Sequence, residues 1–281
     1  MPLSIAEESY LNSSLAMRPP CRPDGRDQMQ LRPIDAATGI LPTTNGSARI
    51  RLGDGGECIV GVKAEVITAT HTSEAVHVEV DCDIAGVQST DFLHNLLCST
   101  LESAIRKSIP WKLLRITGKY RYKLFVDGVI LDHASHPLTL FSMTTYLALL
   151  DTRIPELAPD SRSPDEDENE NVKEDVSMPQ YSNDWDEAEW LCKSWLPPLV
   201  LLGIVVSKNV FVDATGTEAE VSDGGLLTVW HEGRLVSVRV VNTKDSPKQV
   251  FSVSSLSNAI DVLSKASKEV ERALKNVSHF A

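Results

Sequence analysis

Residues 46–66, GSARIRLGDGGECIVGVKAEV, alternate apolar and polar side chains in period two on both sides of Asp54-Gly55-Gly56. Successive side chains point to opposite faces only in a strand, and glycine supplies positive φ at little steric cost. The stretch therefore predicts a β-hairpin that turns near Asp54. A glycine cluster can also cradle a phosphate, but such a cradle feeds a helix N-terminus, and this one feeds a strand. A hairpin with one apolar face needs a covering layer, so helices must pack on the sheet it belongs to.

The rest of the chain supplies that layer twice. VHVEVDCDIAG reads as a strand, and STDFLHNLLCSTLESAIRK as a helix capped by Ser89 or Thr90, with Leu93, Leu96, Leu97, Leu101 and Ile105 on its buried stripe. LLRITGKYRYKLFVDGVIL returns as strand and places Lys119, Arg121 and Lys123 on one face, where they serve either as a solvated edge or as contacts to an RNA backbone. LTLFSMTTYLALL follows as a buried helix. Later, PPLVLLGIVVSKNVFVDAT predicts two short strands around Ser207-Lys208-Asn209, GGLLTVWHEGRLVSVRVV a hairpin at Glu232-Gly233, and SSLSNAIDVLSKASKEVERAL an amphipathic helix. LSIAEESYLNSSLAM opens the chain with the Ser4–Glu7 spacing of a capping box, then a stripe of Tyr10, Leu11 and Leu15. The expected class is α+β: an N-terminal helix within 1–20 and two similar strand-and-helix halves, 21–157 and 193–281, packed as one unit.

The halves are separated by residues 158–192, which are strongly acidic. Twelve Asp or Glu and two Lys or Arg lie between Asp160 and Trp190, so this stretch carries ten of the chain's twelve net negative charges. Its few apolar side chains cannot offset the entropy of ordering it, and disorder is expected. The remainder is close to neutral, so total charge neither excludes nor demonstrates a local basic path for RNA. Five cysteines without a CxxC pair fit reduced thiols in an intracellular compartment. The longest apolar run, WLPPLVLLGIVV, is broken by Pro197 and Pro198, so no membrane span is expected, and no basic-then-apolar leader pattern is visible.

LDHASHP, residues 131–137, joins a predicted strand to a predicted helix and raises three readings. Asp132, His133 and His136 could hold a metal, but they need to converge and to find a further ligand. Ser135 and His136 could form a nucleophile pair, but adjacent side chains seldom aim at one another. The third reading, a loop-to-helix entry whose imidazoles bond backbone or cap a helix, demands least.

The segments RPDGR (Arg22 to Arg26), NGSARIRLGDGGECIVGVKAEV, FVDGVIL, LALLDTRIP, PPLVLLGIVV and VFVDATGTEAE, in this order, resemble the RNase PH-like family over nearly the whole chain. The resemblance implies an RNase PH-like (ribosomal protein S5 domain 2-like) fold. Within the family, LSIAEESYL and ECIVGVKAEV are most similar to a ring subunit of the eukaryotic RNA exosome, and the acidic insertion is similar to fungal members. Active relatives cleave RNA from its 3′ end with orthophosphate, which requires cations for phosphate and RNA and a carboxylate near the transferred proton. Their Gly-Gly-Thr-Arg-type loop corresponds here to His133, Ala134, Ser135 and His136, followed by Pro137. Their RNA-facing arginines correspond to Asn95, Ser99 and Glu102, and Thr215 stands where the catalytic acid belongs.

The resemblance therefore implies a non-catalytic subunit of a hetero-hexameric exosome ring, without metal or cofactor. Its implied partners are the other RNase PH-like subunits, cap subunits with S1 and KH domains, RNA in the central channel and a separate hydrolytic nuclease, in nucleus, nucleolus and cytoplasm. Arg106, Lys107, Lys119, Arg121 and Lys123 are the candidates for the RNA path. The rival readings are a phosphorolytic 3′-5′ exoribonuclease subunit contributing to a composite site, and a free-standing small-molecule binding protein.

Overall fold

The computed structural model describes residues 3–68, 77–117, 120–133, 135–155, 180–182, 187–241 and 253–278. The first sheet contains β1 (Ile34–Thr38), β2 (Gly46–Leu52), β3 (Glu57–Thr68), β4 (Val78–Ile84) and β5 (Tyr120–Asp132), in the order β1-β2-β3-β5-β4. β2 and β3 form the expected antiparallel hairpin, with Gly55 at φ +101° in its turn. β4 and β5 are parallel, and a parallel pair needs a crossover. α2 (Phe92–Ser108) supplies it, burying Leu96, Leu97, Leu101 and Ile105 as the spacing predicts.

α3 (Leu138–Leu150) and the two-residue strand β6 (Arg153–Ile154) precede the insertion, and β7 (Glu189–Trp190) lies at its C-terminal end. The second sheet contains β8 (Leu199–Val206), β9 (Asn209–Val212), β10 (Gly224–His231) and β11 (Arg234–Val241), in the order β11-β10-β8-β9. Glu232 (φ 50°) and Gly233 (φ 73°) make the two-residue reversal between β10 and β11, a turn whose twist matches that of the strands. α4 (Gly216–Val221) follows β9, and α5 (Val253–Ser278) closes the described chain, burying Leu263, Val270 and Leu274.

α3 lies between the two sheets, and every residue from Leu138 to Leu149 is buried. Its hydroxyls have a specific task. β9 covers the edge of β8 only from Gly203 to Val206, which leaves earlier N–H groups unpaired. Ser142 Oγ accepts the Val200 N–H at 2.7 Å and Thr139 Oγ1 accepts the Leu202 N–H at 3.3 Å, so the helix satisfies the strand edge. On the other side of α3, a Cβ added at Gly128 of β5 would fall 2.3 Å from the ring of fully buried Phe141. Gly128→Ala is expected to destabilise the protein by about 1–3 kcal/mol in urea unfolding, and Phe141→Leu in the same chain to recover part of the loss.

α1 (Ile5–Ala16) carries the expected capping box: the Glu7 N–H donates to Ser4 Oγ, and the Ser4 N–H donates to Glu7. Its apolar stripe is narrower than expected, because Leu15 is buried while Tyr10 is 74% exposed. Leu15 packs with Ile204, Val206, Phe211 and Val221, which docks the N-terminal helix on the second sheet. Asn209 Nδ2 donates to the carbonyls of Leu15 and Met17, satisfying the end of the helix.

Three other expectations need correction. Neither Ser89 nor Thr90 caps α2; Asp91 precedes its first residue, and the Asp91 carboxylate accepts the Gln88 N–H instead. Arg121 is not solvated on its strand face: it is only 6% exposed and lies 5.8 Å from the Trp111 ring centroid, while Lys123 on the same face is half-buried. The insertion is also ordered at its C-terminal margin: β7 pairs with β6, Arg153 lies 4.0 Å over the Trp190 ring, and Leu191 enters the core. Residues 156–179 and 183–186, most of the stretch expected to be disordered, lie outside the described residues. Among the described residues, no helix is long and apolar enough to cross a membrane.

Candidate functional site

The loop after β5, the RPDGR segment and the start of α4 meet around Asp213. This aspartate takes a left-handed backbone (φ 50°) just after β9 and is 5% exposed. Its carboxylate accepts from the Arg32 backbone N–H at 2.8 Å, from Arg32 Nε at 2.9 Å and from Arg26 Nη1 at 3.1 Å, and Arg32 Nη2 also donates to it. Burial pushes the Asp213 carboxyl up, yet the Arg32 hydrogen bonds and the charges of Arg32 and Arg26 hold it below the usual aspartate value. Arg32 reaches further, donating through Nη1 to Asp54 at the hairpin corner and through Nη2 to Ser135 Oγ at 2.8 Å. Ser135 is thus bonded to arginine, which gives no support to a Ser135–His136 nucleophile pair.

Arg22 forms a second centre beneath the first. It donates from Nε and Nη2 to the two carboxylate oxygens of Glu218, both at 2.8 Å, and neither side chain has any exposed surface. The remaining guanidinium hydrogens reach the carbonyls of Asp27, Val212 and Asp213. Glu218 also accepts the Thr215 N–H at 2.8 Å, while Thr215 Oγ1 accepts the Glu218 N–H. Thr215 is therefore the N-cap of α4, in a T-x-x-E capping box.

His136 closes the pocket from the loop side. Its Nδ1 accepts the Leu138 N–H at 3.3 Å, so the imidazole caps the buried helix α3. Burial, and secondarily the charge of His133, push its pKa down to about 4, which leaves it neutral at pH 7. Arg32, Asp213, Ala214, Thr139 and His136 line a cavity of about 20 Å³, room for roughly one water and too little for a tetrahedral oxyanion. Asp132, His133 and His136 do not converge as ligands among the described residues; Asp81, His94 and Cys98 do.

The helix positions matched to RNA-gripping arginines carry no free cation. Asn95 Nδ2 donates to the carbonyls of Thr90 and Asp91, Ser99 is exposed and bonds its own helix, and Glu102 pairs with Arg106 at 3.2 Å. Of the cations named for an RNA path, Arg106 is thus engaged, Arg121 is buried, and Lys123 donates to Glu79 at 2.6 Å beneath Phe125. Lys107 is exposed and opens with Arg239 onto a cavity of about 120 Å³. Lys119, like Ala134 of the loop, lies outside the described residues. The arginines of RPDGR, Arg32 and Glu218 form a unit that no local pattern marks, because Arg22 and Glu218 are 196 positions apart; the T-x-x-E spacing of the α4 capping box is the local sign.

Residues 30–155 match the model of the 3′ exoribonuclease family, domain 1, of RNase PH type. The chain is 35% identical to the exosome complex component RRP42 of Saccharomyces cerevisiae, across 99% of this chain and 100% of that protein. The chain belongs to the RNase PH family. It is also 28% identical to the exosome complex component rrp42 of Schizosaccharomyces pombe, over 95% of this chain and 91% of that one. A solved archaeal exosome core matches with a TM-score of 0.70 at 19% identity, covering 96% of each chain. The RNase PH-like fold expected from the sequence is therefore present, with its two sheets and the helix between them.

Proposed function

We propose that this chain is a non-catalytic subunit of the six-membered RNase PH-like ring of an RNA exosome, forming interfaces and part of the channel wall along which RNA reaches a separate hydrolytic nuclease. The names of its fungal relatives, both exosome complex components, support the assembly. One observation carries the inert reading: the groups that would receive orthophosphate are already committed inside the chain. Arg32 is held by Asp213, Asp54 and Ser135, and His136 is a neutral cap where the family has an arginine. Phosphoryl transfer depends on placed positive charge, so a pocket without free charge has little to offer it.

Other features fit a ring subunit. Among the described residues β11 is an edge strand of its sheet, with Leu235, Val236, Val238 and Val240 exposed, the kind of surface that assembly covers. In this reading neighbouring paralogues flank the chain, S1 and KH subunits cap it, and it works in nucleus, nucleolus and cytoplasm. Contact with RNA is non-specific and through the backbone, with Lys107 and Arg239 the exposed cations best placed to supply it.

Affinity purification at native salt, followed by mass spectrometry, is expected to recover the ring paralogues in stoichiometric amounts. A monomeric elution profile without RNA-processing partners overturns the proposal. The purified chain is expected to release no nucleoside diphosphate from RNA in phosphate buffer. The combined variant His133→Gly, Ala134→Gly, His136→Arg and Thr215→Asp is expected to stay inactive too, since Asn95, Ser99 and Glu102 still offer RNA no cation.

A further inference from the structure

Away from the pocket, three side chains of different donor type meet at the outer edge of the first sheet. Asp81 lies on the edge strand β4, and His94 and Cys98 lie one turn apart on α2, which packs against it. His94 Nε2 is 3.2 Å from Asp81 Oδ1 and 3.7 Å from Cys98 Sγ, and the three donor atoms lie within 4.8 Å of one another. As a hydrogen-bond cluster this is poorly satisfied. A single Nε2 either donates its proton to the carboxylate or accepts one from the thiol, and it cannot do both.

A metal ion meets both distances at once. Tetrahedral bonds of about 2.0 Å to nitrogen and oxygen and about 2.3 Å to sulfur place the ligand atoms roughly 3.2–3.6 Å apart. The two distances to His94 Nε2, 3.2 and 3.7 Å, are close to that, and Asp81 and Cys98 lie within 4.8 Å of each other. Local charge favours a cation as well: Glu79, Asp81 and Asp83 point outward from β4, and Asp127 stands opposite Asp81 in register on β5. The Asp81 side chain is 74% exposed while Cys98 is buried, which gives an ion an entry side and a closed side.

We propose that Asp81, His94 and Cys98 bind one divalent ion of the zinc class, with a fourth coordination position open to solvent. Thiolate and imidazole together select zinc-like ions over magnesium or calcium. The bound ion fastens α2 to the edge strand β4. Burial, and then Asp81, push the Cys98 thiol up to about 11, so the ion must displace that proton as it binds.

Cobalt(II) is the direct probe. Titrated into the metal-free full-length chain at mildly alkaline pH, it is expected to give a thiolate-to-cobalt band in the near ultraviolet and the intense visible bands of a tetrahedral site, both erased by zinc but not by magnesium. Cys98→Ser and His94→Gln are expected to lose these bands with an unchanged circular dichroism spectrum, whereas Cys21→Ser and Cys192→Ser keep them. Asp81→Asn, a substitution at an exposed position, is expected to weaken binding by at least about tenfold. Absence of the thiolate band at saturating cobalt overturns the proposal, and so does its persistence in folded Cys98→Ser.

Discussion

Glu218→Ala is expected to remove about 3–5 kcal/mol of folding stability. The carboxylate meets the Arg22 guanidinium in a two-pronged contact, 2.8 Å on each side, with both side chains out of water. Removing it leaves a buried cation whose remaining carboxylate neighbour is Asp24, 3.8 Å from Nε and partly exposed, beyond hydrogen-bond distance. The carbonyls of Asp27, Val212 and Asp213 still accept from the guanidinium, but none of them carries a neutralising charge. The first turn of α4 loosens in addition, since Glu218 is half of its capping box. Replacing both partners by apolar residues of similar volume should cost much less, because no stranded charge remains. Urea unfolding of the single and double variants measures the difference as a coupling energy. A loss below about 1 kcal/mol for Glu218→Ala would mean that the ion pair is solvated and that the segment from Arg22 to Arg26 is not anchored by it.

Which parts of this arrangement can be read from the chain follows from the range of the interactions. The two hairpins were legible because alternation and glycine act locally: Gly55 and the Glu232-Gly233 pair take the positive φ that their positions require. α3 was legible as a buried helix because its thirteen residues, LTLFSMTTYLALL, are mostly apolar and include no charged side chain. The role of its Ser142 and Thr139 was not, since it depends on β9 being shorter than β8. Arg121 alternates with core residues and so looks like a surface cation, until Trp111, ten positions earlier, is brought over it by the turn after α2. His94 and Cys98 have helical spacing that any solvated face can show, and Asp81 joins them only through the packing of α2 on β4. His136 and Thr215 stood out in the sequence as single residues, and a cap was one reading open for the loop imidazoles; that Thr215 caps α4 in a box with buried Glu218 was not read from the chain.

Those two caps share a physical logic with the arginines around them. A phosphate pocket needs backbone donors and guanidinium groups that are unpaired until the ligand arrives. Here each donor has an internal acceptor: Arg32 has Asp213, Asp54 and Ser135, the Leu138 N–H has His136, and the Glu218 N–H has Thr215. Buried polar groups without partners are destabilising, so residues that pair these donors internally stabilise the fold. The pairs from Arg22, Arg26 and Arg32 to Asp213 and Glu218 join the two halves, and under the proposed function the pocket's titration behaviour should report folding.

That behaviour can be measured at His136. Its pKa in the folded protein is about 4, against an ordinary value of 6.5. The unfolded chain therefore binds the proton first as pH falls, and stability drops while the folded state remains neutral at this site. The contribution is fully present above about pH 6.5, declines by about 1.4 kcal/mol per unit, and reaches a total loss of about 3 kcal/mol near pH 4. His136→Asn keeps an acceptor for the Leu138 N–H without a titrating ring, so its stability should lack this slope. The other shifted carboxyls do not imitate the effect. Asp213 lies below 3.8 when folded, so its contribution fades only under more acidic conditions, whereas Asp127 and Asp151 are raised and change stability in the opposite direction. All three, like Glu7 and Asp24, whose carboxyls are also lowered, are shared by both proteins and cancel in the difference between their pH curves. Urea unfolding at half-unit steps from pH 7 to pH 4 should therefore show the two curves converging by about 3 kcal/mol as acid is added. Curves that stay parallel would mean that His136 charges freely in the folded state, and a cation at this position would reopen the case for anion binding in the pocket.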